Sequence, residues 1–333
     1  MAMPITDRSK LAVILGGSGF VGRYVARRLA KAGWRVRVAC RNPNEALFVR
    51  TYGVTGQVEP VFCNIRDDAS VAGVLNGARA VVNCVGILEE AGRNTFRAIQ
   101  EEGAARAARL AAAEGAESFV QISAIGADAD SDSAYARTKA AGERAVTEHF
   151  PNAVILRPSI VFGPEDGFFN RFASMSRLGP VLPVVGAGTR FQPVYVDDVA
   201  AAAAMAAEGR VAPGIYELGG PDVMTFRELM DEMLGVIRRR RLVLGLPFWA
   251  GKLIAGVTGI GRTLTFGIAP QPITADQVEN LRRDNVASGA HPGLETFGIA
   301  PTPMEAVLPE YLWRFRKGGQ YDAIKESAKD LRA

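Results

Sequence analysis

Ser123 is followed twelve residues later by Tyr135, and four residues further on by Lys139. A Tyr-x-x-x-Lys spacing puts the phenol and the ammonium on one face of a helix. An ammonium nearby favours the phenolate and lowers the tyrosine pKa from its reference of about 10. Such a tyrosine can pass a proton to or from a carbonyl or alcohol oxygen, and a serine hydroxyl can hold that oxygen.

A second constellation lies near the start of the chain. Leu11-Ala-Val-Ile-Leu15 runs directly into Gly16-Gly17-Ser18-Gly19-Phe20-Val21-Gly22, and then into a helix-forming stretch from Arg23. A buried strand, a glycine turn and a helix start form the context in which glycines mean dinucleotide binding. The glycines allow a tight turn, a close approach to a pyrophosphate, and packing of helix on strand. The helix N-terminus presents free N–H groups to the phosphates. An NAD site places a carboxylate about 20 residues past the glycines, on the ribose 2′-hydroxyl. Here Val38-Ala-Cys-Arg41-Asn42-Pro43 offers Arg41 and Asn42 at that place. A guanidinium matches a phosphate bidentately, so NADPH is the expected cofactor. Asn64-Ile65-Arg66-Asp67 follows the third strand and Asn83-Cys84-Val85-Gly86 the fourth. Strand C-termini line the ligand crevice of such sheets, so Asn64, Ile65, Cys84, Val85 and Gly86 are candidate walls for adenine and ribose.

These residues need a scaffold. Apolar runs at 11–15, 35–40, 58–62, 80–84, 118–122 and 153–156 alternate with helical stretches at 20–32, 44–52, 69–75, 94–113 and 135–149. This alternation predicts an α/β fold with a doubly wound parallel sheet. After Leu156 the pattern breaks into Pro- and Gly-rich loops. A helix near 197–208 and a strand near 215–218 are expected to rejoin the sheet. From Thr225 the chain reads as mostly helical. The expected domains are 1–165 for the dinucleotide and 166–333 for a smaller lobe, with 190–220 returning to the sheet.

The 333 residues are 48% hydrophobic and 22% charged, with a net charge of +4. The basic residues form no aromatic-interleaved patch, so nucleic acid is not an expected partner. Cys40, Cys63 and Cys84 lie far apart without a CxxC motif, which reads as buried thiols in a reducing compartment. His149 and His291 are the only histidines, with no ligand spacing, so neither a metal site nor a Ser-His-Asp triad is expected. Met1–Lys10 is short and polar, without signal or transit character, so the expected location is the cytosol or a membrane's cytoplasmic face.

Together the motifs resemble the short-chain dehydrogenase/reductase superfamily in its extended or atypical branch. The resemblance covers the glycine turn, Asn64–Asp67, Asn83–Gly86, Ser123, Tyr135 and Lys139. It continues in Leu156-Arg-Pro158-Ser159-Ile160-Val-Phe-Gly163-Pro164, which looks like that family's nicotinamide-side loop and adds Pro158, Ser159 and Ile160 as cofactor contacts. Pro193-Val-Tyr-Val-Asp197-Asp198-Val199 looks like its later strand-to-helix step. More narrowly, Phe168–Met175, Gly179-Pro180, Gln192–Val196 and Gly298–Glu305 are similar to the nucleotide-binding accessory subunits of respiratory complex I, found in mitochondria and alphaproteobacteria. That similarity runs from Ala12 to about Arg316. It implies a tightly held NADPH that stabilises the subunit and its docking on the complex I core subunits. It also implies that Ser123, Tyr135 and Lys139 are vestigial or hold the nicotinamide ribose. The matching location is the cytoplasmic face of a bacterial inner membrane. The alternatives are a free NADPH-dependent reductase or sugar-nucleotide epimerase with Tyr135 as acid/base, and a sensor of the NADPH/NADP⁺ ratio.

One further stretch stands apart. Arg238-Arg-Arg-Arg241 precedes an apolar run from Leu242 to Gly261. The run is about long enough to span a bilayer, but Pro247, Lys252 and repeated glycines argue against a spanning helix. Arginines beside aromatic and aliphatic residues suit an interfacial segment near anionic headgroups. The other reading is a solvated arginine run ahead of a core helix.

Overall fold

The computed structural model describes residues 10–264, 273–319 and 321. The polar N-terminal stretch lies outside them, apart from Lys10. The chain forms two compact units. The first runs to Ser159 and takes in Val196–Gly219 and Ala287–Pro301; the second holds Ile160–Tyr195, Gly220–Val286 and the chain from Thr302.

The first unit is built on strands β1 (Leu11–Leu15), β2 (Arg35–Cys40), β3 (Val58–Phe62), β4 (Ala80–Asn83), β5 (Ser118–Ile122) and β6 (Val154–Pro158). With Gly214–Leu218 they make a seven-stranded sheet in the order Gly214–Leu218, β6, β5, β4, β1, β2, β3. Every pairing is parallel. β1 is all apolar and buried at each position, as a central parallel strand covered on both faces must be. The strand order reverses between β1 and β4, so a crevice opens beyond their C-terminal ends.

Helices cover both faces. Leu11, Val13 and Leu15 share a core with residues of α2 (Asp68–Leu75) and α3 (Glu102–Ala113) and with Val146 of α4 (Ala134–His149). On the other face, α1 (Phe20–Lys31) packs along the helix Val196–Ala207, fastened by a bidentate Arg28–Asp197 pair at 2.9 and 2.8 Å.

Two helical expectations are corrected. The segment Pro43–Tyr52 is a 3₁₀ helix, and its buried residues Ala46 and Val49 are three apart, matching the 3₁₀ repeat. The stretch expected as one helix from 94 to 113 begins with a π turn, Arg97–Glu101, before α3. There α4 approaches closely: a Cβ on Gly142 would stand 2.1 Å from the Gln100 carbonyl oxygen, so glycine is required where the π turn meets α4.

The second unit has its own core of Phe162, Phe169, Leu182, Phe226, Met230 and Leu308, among others. Tyr311 donates to buried Asp166 at 2.5 Å, and the Gly163 and Asn170 N–H groups also donate to that carboxylate. The unit is less helical than the sequence suggests. Leu242–Leu246 is a strand paired in parallel with Val181–Val185, and two further two-stranded pairs, Val194–Tyr195 with Val161–Phe162 and Met224–Thr225 with Arg190–Phe191, belong to the same unit.

Candidate functional site

The glycine turn sits at the mouth of the β1–β4 crevice. Gly16 has φ +74°, a conformation that favours glycine, and donates to the Ala39 carbonyl at 2.9 Å. A Cβ there would lie 3.2 Å from Val85 and from the Cys84 backbone, so the turn is drawn tightly onto the end of β4. A Cβ on Gly22 would meet the Gly16 carbonyl oxygen at 2.5 Å and the Gly17 Cα at 2.7 Å, which is the close packing of helix on turn. Gly19 is the exposed N-cap of α1, and no side chain caps the helix there. Ser18, Phe20 and Val21 are half-buried at the start of the helix. A tight glycine turn with an uncapped helix start fits a diphosphate.

Arg41 and Asn42 follow β2 and are both exposed. The Asn42 amide donates to Glu45 at 3.2 Å, so a carboxylate does stand in this segment, three residues beyond the place where the sequence shows none. Asn64 accepts from the Arg66 N–H, while Ile65 is buried in the core beneath α3. The buried Asn83 side chain donates to Gln121 at 2.9 Å and accepts from the Val85 N–H at 3.1 Å, which shapes the Cys84–Val85 turn. Burial pushes the Cys84 thiol up to about 12.

Tyr135 and Lys139 lie four apart on α4, as their spacing requires. The Lys139 ammonium is 5.9 Å from the Tyr135 ring centre and donates to the Ile122 carbonyl at 3.3 Å. It also sits beside Gly86, 3.6 Å from where a Cβ would stand. Burial pushes Lys139 down to about 8. The Tyr135 ring meets Phe96 edge-on at 5.8 Å. The structure therefore brings the glycine turn, Cys84–Gly86, Tyr135 and Lys139 together at one end of the sheet.

Ser123 is held differently. Its hydroxyl donates to Glu143, the next residue along the Tyr135–Lys139 face of α4. Glu143 accepts a bidentate pair from Arg157 at 2.9 and 2.6 Å, and Arg157 also approaches Glu217 at 3.9 Å. Glu217 in turn accepts from the Ser288 N–H and hydroxyl. Ser123 is 5% exposed and Glu143 equally buried, so this hydroxyl belongs to an internal ionic network. Pro158 ends β6 and Ser159 follows it, both buried; the Pro158 carbonyl accepts from the Ile125 N–H and the Ser159 N–H donates to the Leu218 carbonyl. Ile160 belongs to the second unit and packs against that core.

Three residues escaped the sequence reading. Arg23 lies against the glycine turn. Gln100 donates to the Ile87 carbonyl and accepts from Thr138, tying the β4 loop to α4. Glu143 was legible only as a third position in the Tyr135–Lys139 stripe. Among the described residues no cluster of three or more His, Cys, Asp or Glu side chains could hold a metal ion.

A family model for the NAD dependent epimerase/dehydratase family matches residues 12–219. The Arabidopsis thaliana protein named NADH dehydrogenase (ubiquinone) 1 alpha subcomplex subunit 9, mitochondrial, is 34% identical over 93% of this chain and 79% of its own length. The Mus musculus protein of the same name is 32% identical over 92% of this chain and 80% of its own length. A Caulobacter vibrioides protein named ceramide reductase is 31% identical over 73% of this chain and 75% of its own length. Among solved structures, Thermus thermophilus UDP-glucose 4-epimerase in complex with NAD superposes with a TM-score of 0.65 at 19% identity, covering 92% of this chain and 99% of that one, a likeness of fold. The chain belongs to the NAD dependent epimerase/dehydratase family, in the branch that holds the alpha subcomplex subunit 9 proteins of NADH dehydrogenase.

Proposed function

We propose that this chain is an accessory subunit of respiratory complex I that holds NADPH as a fixed ligand and does not turn it over. The observation that carries this reading is the commitment of Ser123 to Glu143 and Arg157. A hydroxyl bound into a buried ion pair is not available to hold a substrate oxygen. Tyr135 and Lys139 are then left to grip the nicotinamide ribose. The glycine turn and the α1 N-terminus would hold the pyrophosphate, and Arg41 the 2′-phosphate. A bound NADPH supplies hydride chemistry in principle; in this reading it supplies binding energy. A ligand that binds only the folded chain at 100 times its Kd adds about 2.7 kcal/mol of stability.

The proposed partners are the complex I core subunits and the headgroups of an anionic membrane on the cytoplasmic side, where free cysteines stay reduced. No helix among the described residues is long and apolar enough to cross a membrane. Instead the second unit carries an exposed apolar face. Trp249, Leu253 and Val257 recur every four residues along the helix Phe248–Leu264 and are each more than 60% exposed. Its opposite side packs through Gly251 onto Val185 and buries Ala255. Leu242, Leu244 and Val181 of the adjoining strand pair are exposed as well. The arginine run divides its work. Arg239 and Arg241 turn inward, donating to the Phe315 and Ser176 carbonyls, while Arg238 and Arg240 are exposed. An exposed apolar face and exposed arginines in the same unit suit an interfacial seat among anionic lipids.

A second reading, a free NADPH-dependent reductase with Tyr135 as proton donor, draws on the Caulobacter vibrioides relative named ceramide reductase and on the retained Tyr135–Lys139 pair. The replacement Tyr135→Phe separates the two. The accessory-subunit reading expects NADPH to stay bound and complex I activity to be unchanged. Loss of an NADPH-dependent carbonyl reduction in that variant establishes the reductase instead.

A further inference from the structure

We infer that Arg23 is a positioning residue for the adenosine half of the bound nucleotide, an inference that rests on the nucleotide-holding reading above. Arg23 opens the second turn of α1, one residue beyond Gly22. Its Nε donates back to the Gly19 carbonyl at 3.3 Å and its Nη2 to the Ser18 carbonyl at 3.1 Å. Its guanidinium carbon stands 4.7 Å from the centre of the Phe48 ring. Phe48 belongs to the 3₁₀ segment that begins directly after Arg41 and Asn42.

Two consequences follow. Arg23 caps the Ser18 carbonyl at the end of the glycine turn, adds a side-chain bond to the Gly19 carbonyl that its own backbone N–H already engages, and so fixes a permanent positive charge against the turn. The same side chain joins the turn that would hold the pyrophosphate to the segment flanking Arg41. A stacked guanidinium on an aromatic ring, with two fixed hydrogen bonds, holds both parts of the adenosine site in register. The neighbouring arginines of the helix are used otherwise: Arg27 and Arg28 turn to Asp197 at 3.5 and 2.8 Å. Arg27 is therefore a matched control of the same charge on the same helix.

The test is calorimetric titration of the full chain, stripped of nucleotide, with NADPH and separately with 2′,5′-ADP, at several salt concentrations. Arg23→Met is expected to weaken both ligands by the same factor, roughly tenfold or more. It should also flatten the dependence of affinity on salt, because a charge beside the phosphates is gone. Arg23→Lys should restore the salt dependence and only part of the affinity. Phe48→Leu should weaken both ligands by about threefold without changing the salt dependence, since it removes the ring under the guanidinium and no charge. Arg27→Met should leave both affinities within about twofold of the parent. The inference is overturned if Arg23→Met weakens NADPH but not 2′,5′-ADP, if it weakens neither, or if Arg27→Met loses as much. Failure of the parent chain to bind 2′,5′-ADP at all would overturn the nucleotide-holding reading, and the Arg23 inference with it.

Discussion

Replacing Glu143 by glutamine isolates the internal network on which the functional reading stands. The substitution keeps the side-chain shape and removes the charge. Arg157 then loses its bidentate partner while only 15% of its side chain reaches solvent. Breaking a buried ion pair by removing one partner costs roughly 3–5 kcal/mol. Glu217, 3.9 Å from Arg157, retains part of the attraction, so the lower end of that range, about 3 kcal/mol, is the expectation. For a domain of this size each kcal/mol moves the melting temperature by roughly 2–4 °C, giving a fall of about 6–12 °C. Ser123→Ala removes one hydrogen bond to the same carboxylate and should cost about 1–2 kcal/mol. In the double variant the two losses should not add, because both act on one group. Scanning calorimetry of the three variants reads these values directly. The reasoning fails if Ser123→Ala melts like the parent while abolishing an NADPH-dependent reduction, for the hydroxyl would then face a substrate and not Glu143.

The remaining predictions concern the site and the second unit. Burial holds Lys139 near 8, below its ordinary value of 10.5. Its folded pKa is depressed, so the buried charge destabilises the chain fully below pH 8 and not at all above pH 10.5. Relative to Lys139→Met, urea denaturation should show the parent gaining roughly 3 kcal/mol as pH rises across that window, and a pH-independent difference would contradict the burial. Gly22→Ala would drive a methyl into the backbone of Gly16 and Gly17, and should lower both stability and retained NADPH; Gly73→Ala in α2, with open space around it, should do neither. The triple change of Trp249, Leu253 and Val257 to serine should abolish co-sedimentation with anionic liposomes at an unchanged melting temperature, since all three are exposed. Liposome binding that survives would place the membrane contact elsewhere.

Much of this was readable in advance, for local reasons. The β–α alternation, the glycine turn between β1 and α1, and the shared face of Tyr135 and Lys139 all follow from periodicities of a few residues. What was not readable depends on distant partners. Nothing near Ser123 announces that Glu143, twenty residues on, claims its hydroxyl, or that Arg157 secures the pair. The return of Ala287–Pro301 to the first unit rests on contacts such as Ser288 with Glu217, which no short-range pattern encodes. The π turn at Arg97–Glu101 lies against Gly142, a contact between residues remote in sequence. The arginine run reads as uniformly basic, yet Arg239 and Arg241 are drawn inward by carbonyls from remote segments.

The central claim is best tested by purifying the tagged chain from membranes in mild detergent, with partners identified by mass spectrometry and released nucleotide measured by chromatography. The account predicts co-purification with the complex I core and near-stoichiometric NADPH that survives washing. A partner-free chain whose nucleotide exchanges freely, and is oxidised when a carbonyl substrate is added, would contradict it.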